Sequence, residues 1–356
     1  MKQITKILSL AVALTALASC SSTTGKYTIN GNLPNDSFNG DKVFLYDYDT
    51  RTAIDSAVVA DNKFTISGKV EGSQFCQVIL KRYNSTIFIT PGEFNYDPTT
   101  DDHFKTGELN LKYITMKEFT DSIRNSQKET YSKFKSGELS EQEANEIITK
   151  LNGEILDYMK QLYKENPDNA IGYFALVQSL LHLEDADFDQ IIEGASEYIL
   201  SKKNIQQNIK MKEATKNTAV GKKFVDFSAE QPDGTSLSLS DFVGKGKYTL
   251  VDFWASWCGP CIGEIKHIKD VYAKYSTDEL TILGVATWDK PEDTEKAIAK
   301  IGIPWNHLMN AQDQPQLLYG IAGIPHIILF SPDGTIVARD LRGDGMKEEL
   351  KKHLGK

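Results

Sequence analysis

From Lys26 to about Asn110, apolar and polar positions alternate in short runs. Tyr27-Thr28-Ile29-Asn30, Lys42-Val43-Phe44-Leu45-Tyr46, Lys63-Phe64-Thr65-Ile66-Ser67 and the segment from Gln74 to Lys81 are rich in β-branched and aromatic residues. Gly, Asn, Asp and Pro separate them, which predicts a small β sandwich or barrel. From about Leu111 the period changes. Ser140-Glu141-Gln142-Glu143 fits a capping box, and Ile147, Ile148, Leu151, Ile155, Met159 and Leu162 then follow at helical spacing. Helices are also predicted over Ala170–Leu181 and Phe188–Leu200, and the polar stretch Lys210–Lys223 reads as a linker. From Lys223 onward apolar strand-like runs (Tyr248–Trp254, Thr281–Ala286, His326–Phe330, Thr335–Asp340) alternate with helical ones (Pro260–Tyr275, Glu292–Ile301, Met346–Leu354). That alternation is the mark of an α/β domain. The expected architecture is multidomain: an all-β sandwich-like domain over 20–110, a helical segment over 111–213 and an α/β domain over 220–356.

The N-terminus changes the picture of where the chain works. Lys2 and Lys6 precede an apolar run, Ile7–Ala18, too short for a stable transmembrane helix. The run ends in Leu17-Ala18-Ser19-Cys20, which resembles the lipobox of bacterial lipoproteins. That resemblance implies a signal peptide over 1–19, an acylated Cys20 and a cell-envelope location, with the bilayer as a partner through the lipid. Removal of 1–19 takes away two lysines and no acid, so the formal charge moves from −9 to −11. Acidic charge with dispersed lysines excludes ordinary nucleic-acid binding.

Four cysteines carry the remaining chemistry: Cys20, Cys76, Cys258 and Cys261. Cys76 falls inside the apolar run Phe75–Leu80 and is expected to be a small buried hydrophobe. Cys258-Gly259-Pro260-Cys261 ends the stretch Val251-Asp252-Phe253-Trp254-Ala255-Ser256-Trp257. A strand there runs into a helix whose first turn places both thiols on one face, close enough to bond. Cys258 sits at the helix N-terminus, where free N–H groups and the helix dipole favour a thiolate. Pro260 suits an early helical position. A zinc site would need two further ligands, and no second CxxC or Cys/His pair is present; no histidine follows Cys261 as in haem attachment. No metal or cofactor set is therefore legible. His103, beside Asp101 and Asp102, reads as a loop histidine.

This stretch resembles thioredoxin and, within that superfamily, the TlpA/ResA-like extracytoplasmic thiol–disulfide oxidoreductases, over roughly Val220–Lys356. Gly323-Ile324-Pro325 matches the loop whose proline is cis and faces the CxxC in those proteins. Thr287–Gly323 resembles their insertion. The β-rich N-terminal part resembles the domain of uncharacterised function that precedes thioredoxin modules in some lipoproteins.

The resemblance implies a thioredoxin fold, Cys258 as nucleophile and Cys261 as resolving thiol. It also implies Trp257 packed beside the site, Ile324 and Pro325 as a peptide-docking surface, and a membrane thiol donor serving disulfide-bearing envelope proteins. Two carboxyls compete for the proton: Asp252, at the place of thioredoxin's buried acid, and Glu264, where related members keep a glutamate. The sequence departs from the pattern at Lys266 and at His326, which follows the proline. The strand Thr281–Ala286 has no lysine to sit beside the acid. A thiol peroxidase is the alternative enzyme, but its Pro-x-x-x-Thr/Ser-x-x-Cys motif has Val251 and Ala255 at the required places. A non-enzymatic binding lipoprotein is the second alternative, and the intact dithiol argues against it.

Overall fold

The computed structural model describes residues 24–100, 102–180, 182–275 and 278–355. The predicted signal segment and Cys20 lie outside the described residues. The chain divides into two compact units between Ile205 and Gln206.

In the first unit, β1 (Thr24–Asn32), β2 (Lys42–Asp47), β3 (Ala53–Val58), β4 (Lys63–Glu71), β5 (Gln74–Leu80), β6 (Tyr83–Ile89) and β7 (Gly92–Tyr96) make two sheets, ordered β4-β1-β7 and β3-β2-β5-β6. Their inward residues, among them Ile29, Val43, Leu45, Ile66, Val78, Ile87 and Phe94, form one core. The buried positions alternate along β1 and β4 as a half-buried strand requires. The sequence pattern marks only the segments that become β1, β2, β4 and β5. β3 escapes it because it buries little and carries no strong alternation. β6 escapes because the two-residue turn after β5 contains no Gly, Pro, Asn or Asp. Lys81 itself takes the left-handed conformation there, with φ 52°.

Five helices follow: α1 (Glu108–Ser136), α2 (Glu141–Glu165), α3 (Ala170–Ser179), α4 (Asp185–Glu193) and α5 (Glu197–Leu200), and α6 (Lys203–Asn217) runs through the division between units. Gly137, at φ 80°, closes α1, and the predicted Ser140–Glu143 capping box opens α2. Phe75 and Phe88 stack 5.1 Å apart on the outer face of β5 and β6, and Phe174 of α3 meets them edge-on at 5.4 and 5.7 Å. Each such ring contributes roughly 2–3 kcal/mol through burial. The buried Asn110 accepts the Phe88 N–H at 2.8 Å and donates to the Phe88 carbonyl at 3.1 Å, so a helix side chain completes a strand's hydrogen bonds.

Two helix expectations are corrected by the structure. Phe188–Leu200 is not one helix: the chain breaks at Gly194, and Ser196 caps a fresh turn by accepting the Ile199 N–H. Lys210–Lys223 is helix up to Asn217 rather than linker. Its lysines, glutamate, methionine and alanine are good helix formers, and polarity alone does not make a linker. Cys76 is buried and unpaired in β5, and burial pushes its thiol up.

The second unit is the α/β domain. Its elements are β8 (Ser228–Glu230), β9 (Ser236–Ser238), β10 (Tyr248–Trp254), α7 (Gly259–Lys274), β11 (Leu280–Ala286), α8 (Pro291–Ile301), β12 (Asn306–Leu308), α9 (Gln314–Tyr319), β13 (His326–Phe330), β14 (Ile336–Ala338) and α10 (Gly343–Leu354). β8 and β9 form a small hairpin, and the main sheet runs β12-β11-β10-β13-β14. The first three of these strands are mutually parallel, and β13 and β14 each run antiparallel to the preceding neighbour. The central strand β10 is buried on both faces, which is why it reads as a continuous apolar run. Leu250 and Trp254 face a core built with Cys261, Ile265 and Ile268 of α7 and with Met346 and Leu350 of α10. Val251 and Phe253 face the opposite core with Phe227, Tyr319 and Phe330. Four short elements of this unit, β8, β9, β12 and α9, are not legible in the sequence, since three to six residues carry too little periodicity.

Candidate active site

β10 delivers the chain straight into α7. Cys258 is the N-cap of that helix, with φ −83° and ψ 98°, and Pro260 stands in its first turn. The Cys261 N–H donates to Cys258 Sγ at 3.2 Å, so the sulfur occupies the place that a Ser or Asp oxygen takes at other helix starts. Such a place stabilises a negative sulfur once the thiol is reduced. Here the two cysteines are joined as a disulfide, with Cα atoms 5.3 Å apart. Cys261 is fully buried and Cys258 is 4% exposed, so the reactive edge is a narrow opening rather than an open surface.

The opposite wall is the loop before β13. The Ile324–Pro325 peptide bond is cis, as the resemblance implied, and the Ile324 carbonyl oxygen lies 3.7 Å from Cys258 Sγ. Trp257 is 63% exposed; its indole Nε1 donates to the Trp288 carbonyl at 2.9 Å, which fixes the ring beside the cysteines while leaving its face open. Trp288 is held in turn, at φ 55° and with its own Nε1 donating to Asp313 at 2.9 Å.

Asp252 lies between Leu250 and Trp254 on the face of β10 that α7 covers. It is 1% exposed, and its Oδ1 finds no hydrogen-bond partner among the described residues. Burial, and then the Glu264 carboxylate, push its pKa up to about 7, while the Arg342 guanidinium pulls the other way. Glu264 is itself buried, on the inner side of α7, and Oε1 accepts the Gly343 N–H at 2.6 Å. Of the two acids that compete in the sequence, Glu264 therefore acts on Asp252. His326, after the cis proline, has its pKa lowered to about 4, by burial first and then by Arg339 and Arg342. His307 of β12 is lowered to about 4 by burial alone. Its ring fills the space above Gly284, where an added Cβ would come within 2.4 Å of Nδ1. Gly284 is the direct neighbour of Asp252 across β11, so no cation reaches the acid from that strand.

Three contributors escape a reading of the sequence. Asp289 is buried and accepts the Ser256 N–H at 2.7 Å, Ser256 Oγ at 3.0 Å and Thr294 Oγ1 at 2.8 Å, so it holds the turn that precedes Trp257. Trp288 holds Trp257 through a backbone carbonyl, which no side-chain motif records. Arg342 is remote in sequence, and nothing in the run Asp340-Leu341-Arg342-Gly343 marks it.

A buried-strand-to-helix corner with two cysteines in its first turn, faced by a cis-proline loop, defines the class: a thioredoxin-fold dithiol protein. Residues 220–339 match the AhpC/TSA family, and residues 27–137 match a domain of unknown function (DUF4369), whose span continues through α1. The C-terminal part is 30% identical over 136 residues to the thiol-disulfide oxidoreductase ResA of Geobacillus thermodenitrificans, covering 38% of this chain and 76% of that protein. It is 29% identical to the ResA of Geobacillus kaustophilus, with the same coverage. The solved thioredoxin domain of a thiol-disulfide oxidoreductase from Bacteroides vulgatus is 37% identical over 38% of this chain and 97% of that one, with a TM-score of 0.35. Through this domain the chain belongs to the ResA-like thiol–disulfide oxidoreductases.

Proposed function

We propose that this protein is a membrane-tethered reductase of protein disulfides in the cell envelope, working through Cys258 and Cys261. The observation that carries the reading is the Cys258 sulfur capping α7 above a buried acid poised near neutrality. In the reduced protein the Cys258 thiolate attacks one sulfur of a substrate disulfide, the other sulfur leaves as a thiolate, and a mixed disulfide forms. Cys261 loses its proton to the Asp252 carboxylate and attacks Cys258 Sγ. The second substrate sulfur is released and the Cys258–Cys261 disulfide closes, so two electrons have passed to the substrate. An external dithiol donor returns them. With a pKa of about 7, Asp252 can take a proton and give it back at neutral pH, which an ordinary carboxylate does poorly.

Glu264 supports this role by raising the proton affinity of Asp252. Ile324 and Pro325 offer backbone edges to a docked polypeptide beside Cys258, and Trp257 offers its open face. The Gly-Pro pair between the cysteines resembles the reducing members of the superfamily, which favours reduction over oxidation. Among the described residues no helix is long and apolar enough to cross a membrane. The tether is assigned to an acylated Cys20, on the lipobox-like ending Leu17-Ala18-Ser19-Cys20, with the domain facing the periplasm. The partners are disulfide-bearing envelope proteins and a membrane thiol donor.

The test is a trap. Cys261→Ser should accumulate reducible adducts between Cys258 and client proteins in envelope extracts, because nothing is left to resolve them. Cys258→Ser should trap far fewer. A peroxidase would instead leave Cys258 as a sulfenic acid after peroxide, with few protein adducts. Absence of client adducts in cells whose wild-type dithiol is reduced would sink the reductase reading.

A further inference from the structure

Arg342 stands at the start of α10, and its guanidinium serves several acceptors at once. Nη1 donates to the Leu341 carbonyl at 2.7 Å, and Nη2 donates to the Pro325 carbonyl and lies 2.9 Å from Asp340 Oδ1. Asp340 adopts φ 55° in presenting that carboxylate, a conformation that aspartate tolerates better than most residues. The residue after Arg342, Gly343, at φ 46°, gives its N–H to Glu264. The neighbouring carbonyl on the proline loop, that of Ile324, is the one beside Cys258. One corner of chain thus reaches the loop in front of the disulfide and the acid on the helix behind it.

We propose that Arg342 is a positioning residue for thiol–disulfide exchange, fixing the Ile324–Pro325 docking edge against Cys258 and, through the turn it shares with Gly343, holding the Asp252–Glu264 acid pair ready for Cys261. The inference rests on the exchange mechanism proposed above. A planar fork suits this role because it can bind a carbonyl and a carboxylate in fixed directions, whereas a lysine supplies charge without that geometry.

The charged and titratable groups facing Asp252 set the direction of the electrostatic part. Glu264 and the two cysteines approach on α7, Arg342 from the start of α10 and His307 from β12, whereas His326, paired with Phe253, lies on the other face of the sheet. Both histidines are neutral at physiological pH, so Arg342 is the cation that acts on Asp252. Its removal destabilises the Asp252 carboxylate, raises the pH at which that carboxylate forms, and moves the midpoint of any step needing the carboxylate to higher pH.

The experiment compares full-length wild type, Arg342→Lys and Arg342→Met. It measures reduction of a small aromatic disulfide and of insulin, and follows the resolution step by single turnover across pH. Arg342→Lys is expected to lose about tenfold on insulin, the loss typical of a charge-assisted hydrogen bond, and only about threefold on the small disulfide, with an unchanged pH midpoint. Arg342→Met is expected to show the same insulin deficit and, in addition, a midpoint at higher pH. Equal losses on both substrates in Arg342→Lys, or wild-type rates on both, would overturn the inference and leave the exchange mechanism standing. The lysine variant decides this alone should the methionine variant not fold, as judged by circular dichroism. If wild type with a dithiol donor reduces neither substrate, or Cys258→Ala retains its rates, the exchange mechanism itself fails and takes this inference with it.

Discussion

Asp252→Asn separates two consequences of a buried acid. The carboxyl has a pKa of about 7 in the folded protein, against an ordinary value of 3.8. In acid below both values it is protonated in either state, and the folded state keeps the full benefit of a neutral buried group. As pH rises past about 4 the unfolded chain releases its proton first, so the folded state binds more protons and stability falls until about pH 7. The difference of roughly three pK units corresponds to about 4 kcal/mol lost between pH 4 and pH 8. Asparagine keeps the shape and removes the titration. It also buries an amide whose N–H groups need partners, at about 1–3 kcal/mol, a cost that does not change with pH. The stability of Asp252→Asn relative to wild type should therefore improve by about 4 kcal/mol from pH 4 to pH 8, whatever its offset at either end. Urea unfolding of the oxidised protein followed by tryptophan fluorescence reads this directly. The four tryptophans, at 254, 257, 288 and 305, all lie in the second unit and report on it alone. The same variant should slow resolution of the mixed disulfide at neutral pH, on the order of a hundredfold, and leave its formation nearly unchanged. A difference profile flat with pH would refute the placement of an ionising acid at this site.

Three further outcomes follow from the same geometry. Glu264→Gln keeps an oxygen for the Gly343 N–H but removes the negative charge that helps to raise Asp252, so the pH midpoint of resolution should move down; a larger rate loss than in Asp252→Asn, measured by stopped flow, would reverse the roles of the two acids. Gly284→Ala drives a Cβ to within 2.4 Å of the His307 ring and 3.1 Å of Trp254 Nε1, and should cost about 1–3 kcal/mol by overpacking, read in the same urea experiment. Cys20→Ala should release an intact protein into the soluble fraction; a wild type that washes off membranes at neutral pH would remove the lipid anchor from the reading.

Legibility in the sequence followed the length and regularity of each element. β10 was visible because a central strand buried on both faces is one long apolar run. α2 was visible because its cap and its stripe agree. The parts that failed did so for local reasons. β3 presents little buried surface, β6 is reached through a turn made by Lys81 without glycine, and α6 has the composition of a linker and the propensities of a helix.

The site divides along a different line. Cys258, Cys261 and Asp252 lie within one strand-to-helix corner, so their relation is fixed by local geometry, and the spacing alone could suggest it. Glu264 could be named as a candidate, but its burial could not be read, because the element that covers it, the start of α10, comes from the end of the chain. Arg342 is the extreme case. An arginine in a loop near a C-terminus is ordinarily a solvated charge, and only the sheet order, which places β13 beside β10 and β14 beyond it, carries it to the proline loop and the acid pair. The strand next to Asp252 had offered no lysine, which left the buried acid without a visible counter-charge. In the folded chain that charge arrives from α10 instead. A missing local partner for a buried ionisable group is therefore a reason to look for one at long sequence distance: a buried carboxyl opposed by only a partial counter-charge keeps a raised pKa, as Asp252 does at about 7 with Arg342 as its one cation.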